Sequence, residues 1–146
     1  MKTIALTFLI LGIGLGIFYK NGNGELTESK IQIGNTFLRV EIADDDAERM
    51  QGLSGRKNLG GNSGLLFVFE REGHYGFWMK DMNFPIDIAW IDVNKKIILI
   101  EKDVSPKTYP QVFGTSTLAK YVLETNAGFF ELHQIYIGDT VQTNAR

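Results

Sequence analysis

Cysteine is absent from the 146 residues. This absence excludes disulfides, a thiolate nucleophile, cysteine-ligated metals and the lipid-attachment cysteine of a bacterial lipoprotein. A domain of about 120 residues can bury enough apolar surface to fold without cross-links, so export is still compatible with the sequence. The chain has room for one such domain, whose stability must come from its core.

An excess of positive charge is also missing. Residues 25–146 carry all 17 acidic groups and 13 of the 15 basic ones, which gives this part a net charge of −4. A domain that binds duplex nucleic acid usually has the opposite sign, because neutralising phosphates supplies most of its affinity. No cluster of lysine and arginine is interleaved with aromatic residues either. We therefore predict no nucleic-acid partner.

The motifs of common catalytic and cofactor sites are missing as well. His74 and His133 are the two histidines, and they lie far apart without the spacing of a zinc site. Residues 52–56 (GLSGR) begin like the nucleophile elbow G-x-S-x-G but end in arginine. Neither a P-loop nor a dinucleotide-binding glycine pattern is present. The sequence thus predicts no metal and no cofactor.

An uncharged apolar run occupies residues 3–19, between Lys2 and Lys20. As a helix it would span roughly 25 Å, slightly less than the ~30 Å hydrocarbon core of a bilayer. We predict that residues 1–20 form a membrane anchor and that a weak charge bias places the domain on the extracytoplasmic side. The alternative is a cleaved signal peptide and a secreted domain, although no Ala-x-Ala cleavage site is present.

A polar segment rich in glycine and asparagine follows at residues 21–30 and is typical of a flexible linker. We predict the folded domain over residues 31–142 and a short tail over residues 143–146. Strict alternation of apolar and polar residues on both sides of Gly34-Asn35 predicts a β-hairpin with one wet face. The membrane, reached through the N-terminal helix, is therefore one predicted partner.

A short helix is predicted where three aspartates at residues 44–46 precede the segment that ends at Gln51. Carboxylates are favourable at a helix N-terminus, and Asp45 with Glu48 resembles a capping box. A calcium loop is the alternative, but the central glycine and distal glutamate that it needs are missing.

For the rest of the domain, the sequence predicts mainly β-strands. Residues 65–69 (LLFVF) form a continuous apolar run, which is typical of a strand buried on both faces. Further strands are predicted at residues 76–80, 86–92, 97–104, 121–124 and 136–141, with a short helix near residues 129–133. About eight short strands indicate a mainly β protein, a compact antiparallel sandwich or barrel-like domain with one or two short helices.

Residues 77–87 combine large apolar groups, charges and a proline. One interpretation is a ligand platform, in which Trp78 offers a flat apolar face and Lys80 and Asp87 offer oriented polar groups. The other is purely structural, with Trp78 and Phe84 in the core and Lys80 in an exposed turn.

Residues 77–92 (FWMKDMNFPIDIAWID) resemble the F-W-M-K-N-T-x-x-P-L-D signature of the bacterial and archaeal domain of unknown function 192 (DUF192) family. Residues 49–56 are similar to its R-x-x-G-L-x-x-R element, residues 64–67 to G-M-L-F, residues 123–128 to L-E-x-x-A-G and residues 137–139 to I-G-D. The resemblance implies a mostly antiparallel β domain, often behind a signal or anchor segment, and no established activity. Asp81 and Met82 depart from the Asn-Thr of the signature, and Ser54 replaces a common methionine.

The motif positions divide into two groups. We assign a structural role to Arg49, Gly52, Gly64, Pro85, Gly128, Gly138 and Asp139. The candidate ligand-binding residues are Arg56, Trp78, Lys80, Asp87 and Glu124. Because buried charges need partners, an ion pair of Arg49 or Arg56 with Asp87 or Glu124 is the structural alternative.

Three functions are compatible with these features. The first is an extracytoplasmic binding or accessory module for a small ligand or an envelope component, which rests on Trp78. The second is a hydrolase of envelope glycans that uses Asp87 and Glu124 as paired carboxylates, which requires the two groups to face each other across a cleft. The third is a protein-interaction domain that pairs through a sheet edge. The sequence favours the first and leaves enzymatic activity undecided.

Overall fold

The computed structural model describes residues 26–145. The seven strands are β1 (Thr27–Ile33), β2 (Thr36–Ala43), β3 (Ser63–Gly73), β4 (Ile86–Ile91), β5 (Ile97–Val104), β6 (Ala119–Asn126) and β7 (Val141–Gln142). The helices are α1 (Asp46–Gln51) and α2 (Phe129–Leu132), with one 3₁₀ turn at Pro106–Thr108. Within the described residues no helix is long and apolar enough to cross a membrane. The predicted anchor, residues 1–20, lies outside them, and β1 begins inside the predicted linker.

Several local predictions are confirmed. The hairpin about Gly34-Asn35 pairs β1 with β2 in antiparallel register. Helix α1 begins with the predicted capping box: the Asp45 side chain accepts from the backbone N–H of Glu48, and the Glu48 carboxylate accepts from that of Asp45. The strand predicted in residues 65–69 is part of β3 and lies at the middle of the sheet, with Leu65 to Val68 buried on both sides.

The strands form one strongly curled half-barrel sheet in the order β5-β4-β6-β3-β2-β1-β7. Every neighbouring pair is antiparallel except β2 and β3, which run parallel. The sheet is therefore mixed, and the prediction of a wholly antiparallel domain is wrong at this point. Parallel neighbours need a crossover connection, which α1 and the glycine-rich loop after it supply between residues 44 and 62.

The two ends of the sheet meet near the start of β5. Ile97 donates its N–H to Asp139 and accepts at its carbonyl from Gly138, and a single bridge joins Lys96 to Thr140. A strand was predicted over residues 136–141, but the segment turns instead, with Gly138 at φ 99°. The Asp139 carboxylate accepts from the Tyr136 N–H at 2.8 Å and holds this turn.

Apolar side chains cover both faces of the sheet. The face packed by α2, termed the helix face, includes Leu66 and Leu123, which share a core cluster with Phe130 of α2. The opposite face, termed the loop face, includes Phe67 and Trp90 and is covered by the loops at residues 52–62, 74–85 and 105–118. Residues 76–80 were predicted as a strand, yet they form part of these loops and make one backbone bridge, between Phe77 and Phe113.

The packing around Gly64 explains why the motif at residues 64–67, which is similar to G-M-L-F, starts with glycine. A Cβ at this position would lie 2.8 Å from the Glu124 carbonyl oxygen and 3.2 Å from the nearest methyl carbons of Leu123 and Leu38. We expect Gly64→Ala to lower the free energy of unfolding by about 1–3 kcal/mol, because backbone atoms have to move. Gly61→Ala is the control, since nothing lies within 4 Å of its Cβ position. Urea denaturation measures both, and equal stabilities would contradict the packing argument.

Candidate functional site

A carboxyl group forms the floor of a cavity on the loop face. Glu124 lies on the interior strand β6, across from Leu65 on β3 and Ile88 on β4. It is 5% exposed, and its Oε2 atom is buried without a hydrogen-bond partner among the described residues. Burial raises the pKa of Glu124 to about 8, against the opposing attraction of Arg56. The group is therefore mainly protonated at neutral pH.

Aromatic side chains form much of the cavity wall. The cavity has a volume of about 170 Å³. Its aromatic lining residues are Phe67, Phe69, Tyr75, Phe77 and Trp78. Trp78 is 52% exposed and packs edge-on against Tyr109, with ring centroids 5.7 Å apart. The predicted platform residue thus stands where the cavity meets solvent, and the cavity extends from its ring to Glu124.

Two loops are tied together beside the cavity. The Gly55 N–H donates to the Asp81 carbonyl, and the Ser54 hydroxyl donates to the Lys80 carbonyl, both at 2.8 Å. The Asn83 amide donates to the Arg56 carbonyl at the same distance. Asp81 has φ 55°, a left-handed conformation that aspartate and asparagine tolerate better than most residues. Asparagine in the signature therefore suits the backbone here, and Asp81 preserves that property.

Arg56 is paired, but not with the predicted partners. Its two terminal nitrogens donate to the two carboxylate oxygens of Glu41 at 2.7 and 2.6 Å. Glu41 lies across from Leu65, which lies across from Glu124, so both glutamates are on the loop face. The hydrogen bond to Glu41 raises the pKa of Arg56, while burial opposes the rise. The predicted pairing with Asp87 or Glu124 is therefore wrong: Glu124 interacts with Arg56 only through longer-range attraction.

Arg49 contributes to the wall near α1. Its guanidinium donates to the Val68 carbonyl at 2.8 Å and to the Asp46 carboxylate at 2.7 Å. It also lies over the Phe69 ring, 5.5 Å from the centroid. These contacts hold α1 against β3 and satisfy the charge of Arg49.

Asp87 lies on the other face of the sheet. It pairs across the strands with Thr125, one position away from the Ile88–Glu124 pair, so the side chains of Asp87 and Glu124 point in opposite directions. Asp87 is fully buried and accepts hydrogen bonds from the N–H groups of Asp103 at 2.8 Å and Phe130 at 3.3 Å. Asp87 and Glu124 therefore do not face each other across a cleft, as the paired carboxylates of a hydrolase would.

Lys80 lies outside the cavity lining. Its side chain is exposed, with the ammonium group 6.0 Å from the centroid of the Trp78 ring. Of the five candidate ligand-binding residues, the structure brings Trp78 and Glu124 to one cavity, places Arg56 beside it and leaves Lys80 and Asp87 elsewhere. In the described part of the chain, no three His, Cys, Asp or Glu side chains gather as a metal site would require.

Comparison with known protein families and solved structures identifies the family of the chain. The family model described as DUF192, uncharacterized ACR, matches residues 28–143. The chain belongs to the DUF192 family. The match extends the domain predicted over residues 31–142 at its N-terminal end, where β1 begins at Thr27. No curated protein is significantly similar to the chain.

Two solved structures share the DUF192 fold seen here. A Sinorhizobium meliloti protein described as a "putative transcription regulator" is 26% identical, with a TM-score of 0.78 over 83% of this chain and 97% of that one. A Novosphingobium aromaticivorans protein of unknown function is 23% identical, with a TM-score of 0.79 over 88% of this chain and 94% of that one. The second likeness concerns the fold alone.

The DUF192 motifs have separate tasks in this fold. Gly52 ends α1 at φ 50°, and Gly128 begins α2 at φ 82°, conformations that glycine adopts without strain. Pro85 is exposed and immediately precedes β4. By contrast, the R-x-x-G-L, G-x-L-F, F-W-M-K and L-E elements all contribute side chains near the cavity. Motifs that are far apart in sequence therefore converge on one place.

Sequence reasoning missed several residues of this site. Tyr75, which stacks on Phe69 with ring centroids 3.4 Å apart, lines the cavity but stands in no motif or apolar run that was singled out. Glu41 stands at a polar position of the hairpin, on the face predicted to be wet, yet its pairing with Arg56 leaves it half-buried. Phe67 had a signal, because it belongs to the apolar run predicted to be buried on both faces.

Proposed function

We propose that this DUF192 domain is a binding module for a small ligand, which enters beside Trp78 and reaches Glu124. The observation that carries the proposal is the buried Oε2 atom of Glu124, which has no hydrogen-bond partner among the described residues, on a side chain that lines the cavity. Buried polar atoms nearly always have a hydrogen-bond partner in folded proteins. A ligand that supplies this partner and covers the aromatic wall would satisfy both features of the cavity.

Binding fits the site better than hydrolysis does. Glycoside hydrolysis with two carboxylates needs both groups on the same cleft, whereas Asp87 and Glu124 lie on opposite faces of the sheet. The net charge of −4 on residues 25–146 does not favour a nucleic-acid partner, which a transcription regulator would need. Pairing of the domain with another protein through a sheet edge stays a prediction.

The proposed localisation of the domain is the extracytoplasmic face of the membrane. This part of the proposal rests on the uncharged run at residues 3–19 and the charges that flank it. Protease protection of the full chain in intact cells and in spheroplasts tests it. We expect cleavage of the domain only after the outer barrier is opened, with the anchor fragment retained in the membrane. Protection in intact spheroplasts would contradict this orientation.

A fragment screen tests the binding proposal. We expect small aromatic or aliphatic compounds with one polar group to shift the NMR signals of Trp78 and the Glu124 backbone in the full chain. Trp78→Ala should raise the Kd of such compounds about 10-fold or more, because it removes apolar contact area at the mouth of the cavity.

Tyr136→Ala is the matched control for this screen. Tyr136 is another exposed aromatic residue, 58% exposed, and it does not line the cavity. We expect its substitution to leave every Kd unchanged. Compounds that bind equally well to both variants, or a screen in which no compound shifts the cavity signals, would refute the proposed function.

A further inference from the structure

We propose that the ligand of this cavity is a small organic cation, an ammonium group whose charge is matched by the carboxylate of Glu124. This inference rests on the proposed function and specifies its ligand class. It follows from two features of the site: the charges around the cavity leave one carboxylate without a counter-charge, and the walls are aromatic.

The two arginines beside the cavity already have acidic partners, and Lys80 is exposed above the Trp78 ring at its mouth. Arg56 makes two hydrogen bonds to Glu41, and Arg49 is held by Asp46 and by a backbone carbonyl. Once these pairs are set aside, Glu124 is the unmatched charge among the residues that line the cavity. Among the described residues no basic group forms a salt bridge with Glu124, so a cationic ligand would supply the counter-charge of its ionised form.

The other titratable groups facing Glu124 do not change this balance. Tyr75 lines the cavity, but its hydroxyl donates to the Arg71 carbonyl at 2.7 Å. On the β4–β5 side, Glu101 pairs with Ile88 and so lies two strands from Glu124 on the same face. Glu101 is acidic and adds to the negative potential that a cationic ligand would meet.

The aromatic walls suit the same ligand. A cation within about 6 Å of an aromatic centroid is attracted by the ring quadrupole, and quaternary ammonium ligands are commonly recognised in this way. Two rings of this cavity already attract cations of the chain itself: Arg49 lies over Phe69 and Lys80 over Trp78. The free volume of about 170 Å³ limits the buried part of the ligand to a few heavy atoms, as in a methylated ammonium group.

Binding of such a cation is coupled to loss of the Glu124 proton. Burial raises the pKa of Glu124 to about 8, so at neutral pH its carboxyl group is mainly protonated before a ligand binds. The cation binds the ionised form of Glu124. Below the pKa, the fraction of this form increases about tenfold for each unit by which the pH is raised. We therefore expect the association constant to rise nearly tenfold from pH 6 to pH 7 and to level off above pH 8.

Choline and its uncharged isostere 3,3-dimethyl-1-butanol provide the test. They have nearly the same shape, but choline has a positively charged quaternary nitrogen where the alcohol has an uncharged quaternary carbon. Isothermal titration calorimetry of the full chain at pH 6, 7 and 8.5, in buffers with different ionisation enthalpies, measures both affinity and proton release. We expect choline to bind at least 10-fold more tightly than the alcohol at pH 8.5 and to release close to one proton at pH 7.

Glu124→Gln separates charge recognition from the cavity itself. This variant should lose choline affinity at least 10-fold and lose its pH dependence, while the alcohol binds as it does to the wild type. Tetramethylammonium and methylammonium serve as smaller cations in case the hydroxyethyl group of choline does not fit.

The outcomes distinguish this inference from the proposed function. If the alcohol binds as tightly as the cations, or if Glu124→Gln leaves cation affinity unchanged, the ligand class is wrong and the binding module stands. If none of the three cations binds while fragments occupy the cavity, the ligand class is wrong as well. If neither the cations nor any fragment binds, both the inference and the proposed function fail.

Discussion

Glu124→Gln is expected to make the protein more stable, increasingly so as the pH rises from about 4.5 to about 8. The pKa of this group rises from its ordinary value of 4.5 to about 8 in the folded protein because the carboxyl is buried. Well below pH 4.5 both the folded and the unfolded states carry the proton, so ionisation of the group does not change stability there. Between the two pKa values the unfolded state ionises and the folded state does not, which favours unfolding.

The size of this effect follows from the pKa shift. At about 1.4 kcal/mol for each pKa unit, the penalty in the wild type reaches at most about 5 kcal/mol above pH 8. Glutamine does not ionise, so the variant should escape this loss. Urea denaturation between pH 4 and pH 9 measures the free energy of unfolding of the wild type and of Glu124→Gln. The wild-type free energy of unfolding should fall with pH, and the difference from the variant should widen.

Glu28→Gln is the control for the titration. Glu28 is an exposed glutamate on β1, and its substitution should leave stability within about 0.5 kcal/mol at every pH. A constant difference between wild type and Glu124→Gln across the pH range would show that the Glu124 carboxyl is not perturbed. The same data would then weaken the coupling of ligand binding to proton release, although the cavity itself would be unaffected.

A carboxyl group that destabilises its own fold suggests a functional reason for its presence. An apolar side chain would suit the floor of the cavity better for stability alone, because a buried, unpartnered polar group costs free energy. Sites that bind ligands commonly sacrifice stability in this way. Arg56 does not relieve the cost, since its hydrogen bonds are made to Glu41. The expected gain in stability and the expected loss of cation binding in Glu124→Gln are thus two consequences of one feature.

Local features of the fold could be predicted where a short stretch of sequence determines the structure. The hairpin at Gly34-Asn35 and the capping box of α1 depend on residues that are close in sequence. The buried strand in residues 65–69 was likewise evident from its apolar run. The parallel pairing of β2 with β3 depends instead on how the crossover at residues 44–62 returns the chain, and no local pattern encodes that direction.

The site was harder to predict than the fold, because it is made by loops from distant parts of the sequence. Trp78 and Glu124 were named as candidates from motif positions, but nothing in the sequence showed that they share one cavity. Asp87 looked equally functional, since its alternation with apolar neighbours is compatible with a groove or a buried position. The decisive fact is the register of β4 against β6, which turns Asp87 towards α2.

Asp87→Ala is expected to lower the free energy of unfolding by about 3–5 kcal/mol. One carboxylate oxygen accepts from the Asp103 N–H, where the backbone has φ 49°, and the other accepts from the Phe130 N–H at the start of α2. Alanine leaves both donors without their partner, the Phe130 N–H in a buried place and the Asp103 N–H in a partly buried one. Hydrogen bonds to a charged group contribute about 1.5–3 kcal/mol each, and an unsatisfied buried donor adds a further penalty.

Two further variants test whether this loss comes from the two hydrogen bonds. Asp87→Asn keeps one acceptor but turns an NH₂ group towards the Phe130 N–H or the Asp103 N–H, so we expect an intermediate loss. Asp92→Ala removes an aspartate that accepts from the Lys96 N–H in an exposed turn, and should cost about 1 kcal/mol or less. Urea denaturation measures all three. Equal effects of Asp87→Ala and Asp92→Ala would contradict the structural role of Asp87.

The same Asp87 variants also separate structure from ligand binding. Because Asp87 lies on the helix face, Asp87→Asn should bind the cavity ligands as the wild type does under conditions where both are folded. A loss of affinity larger than the loss of folded protein would instead show that Asp87 contacts the ligand. Asp87 and Glu124 are neighbours along the sheet, one pair position apart, yet we expect stability to fall when the first is replaced and to rise when the second is. Opposite signs from adjacent positions would be strong evidence that this DUF192 sheet uses one face to hold the fold together and the other to bind.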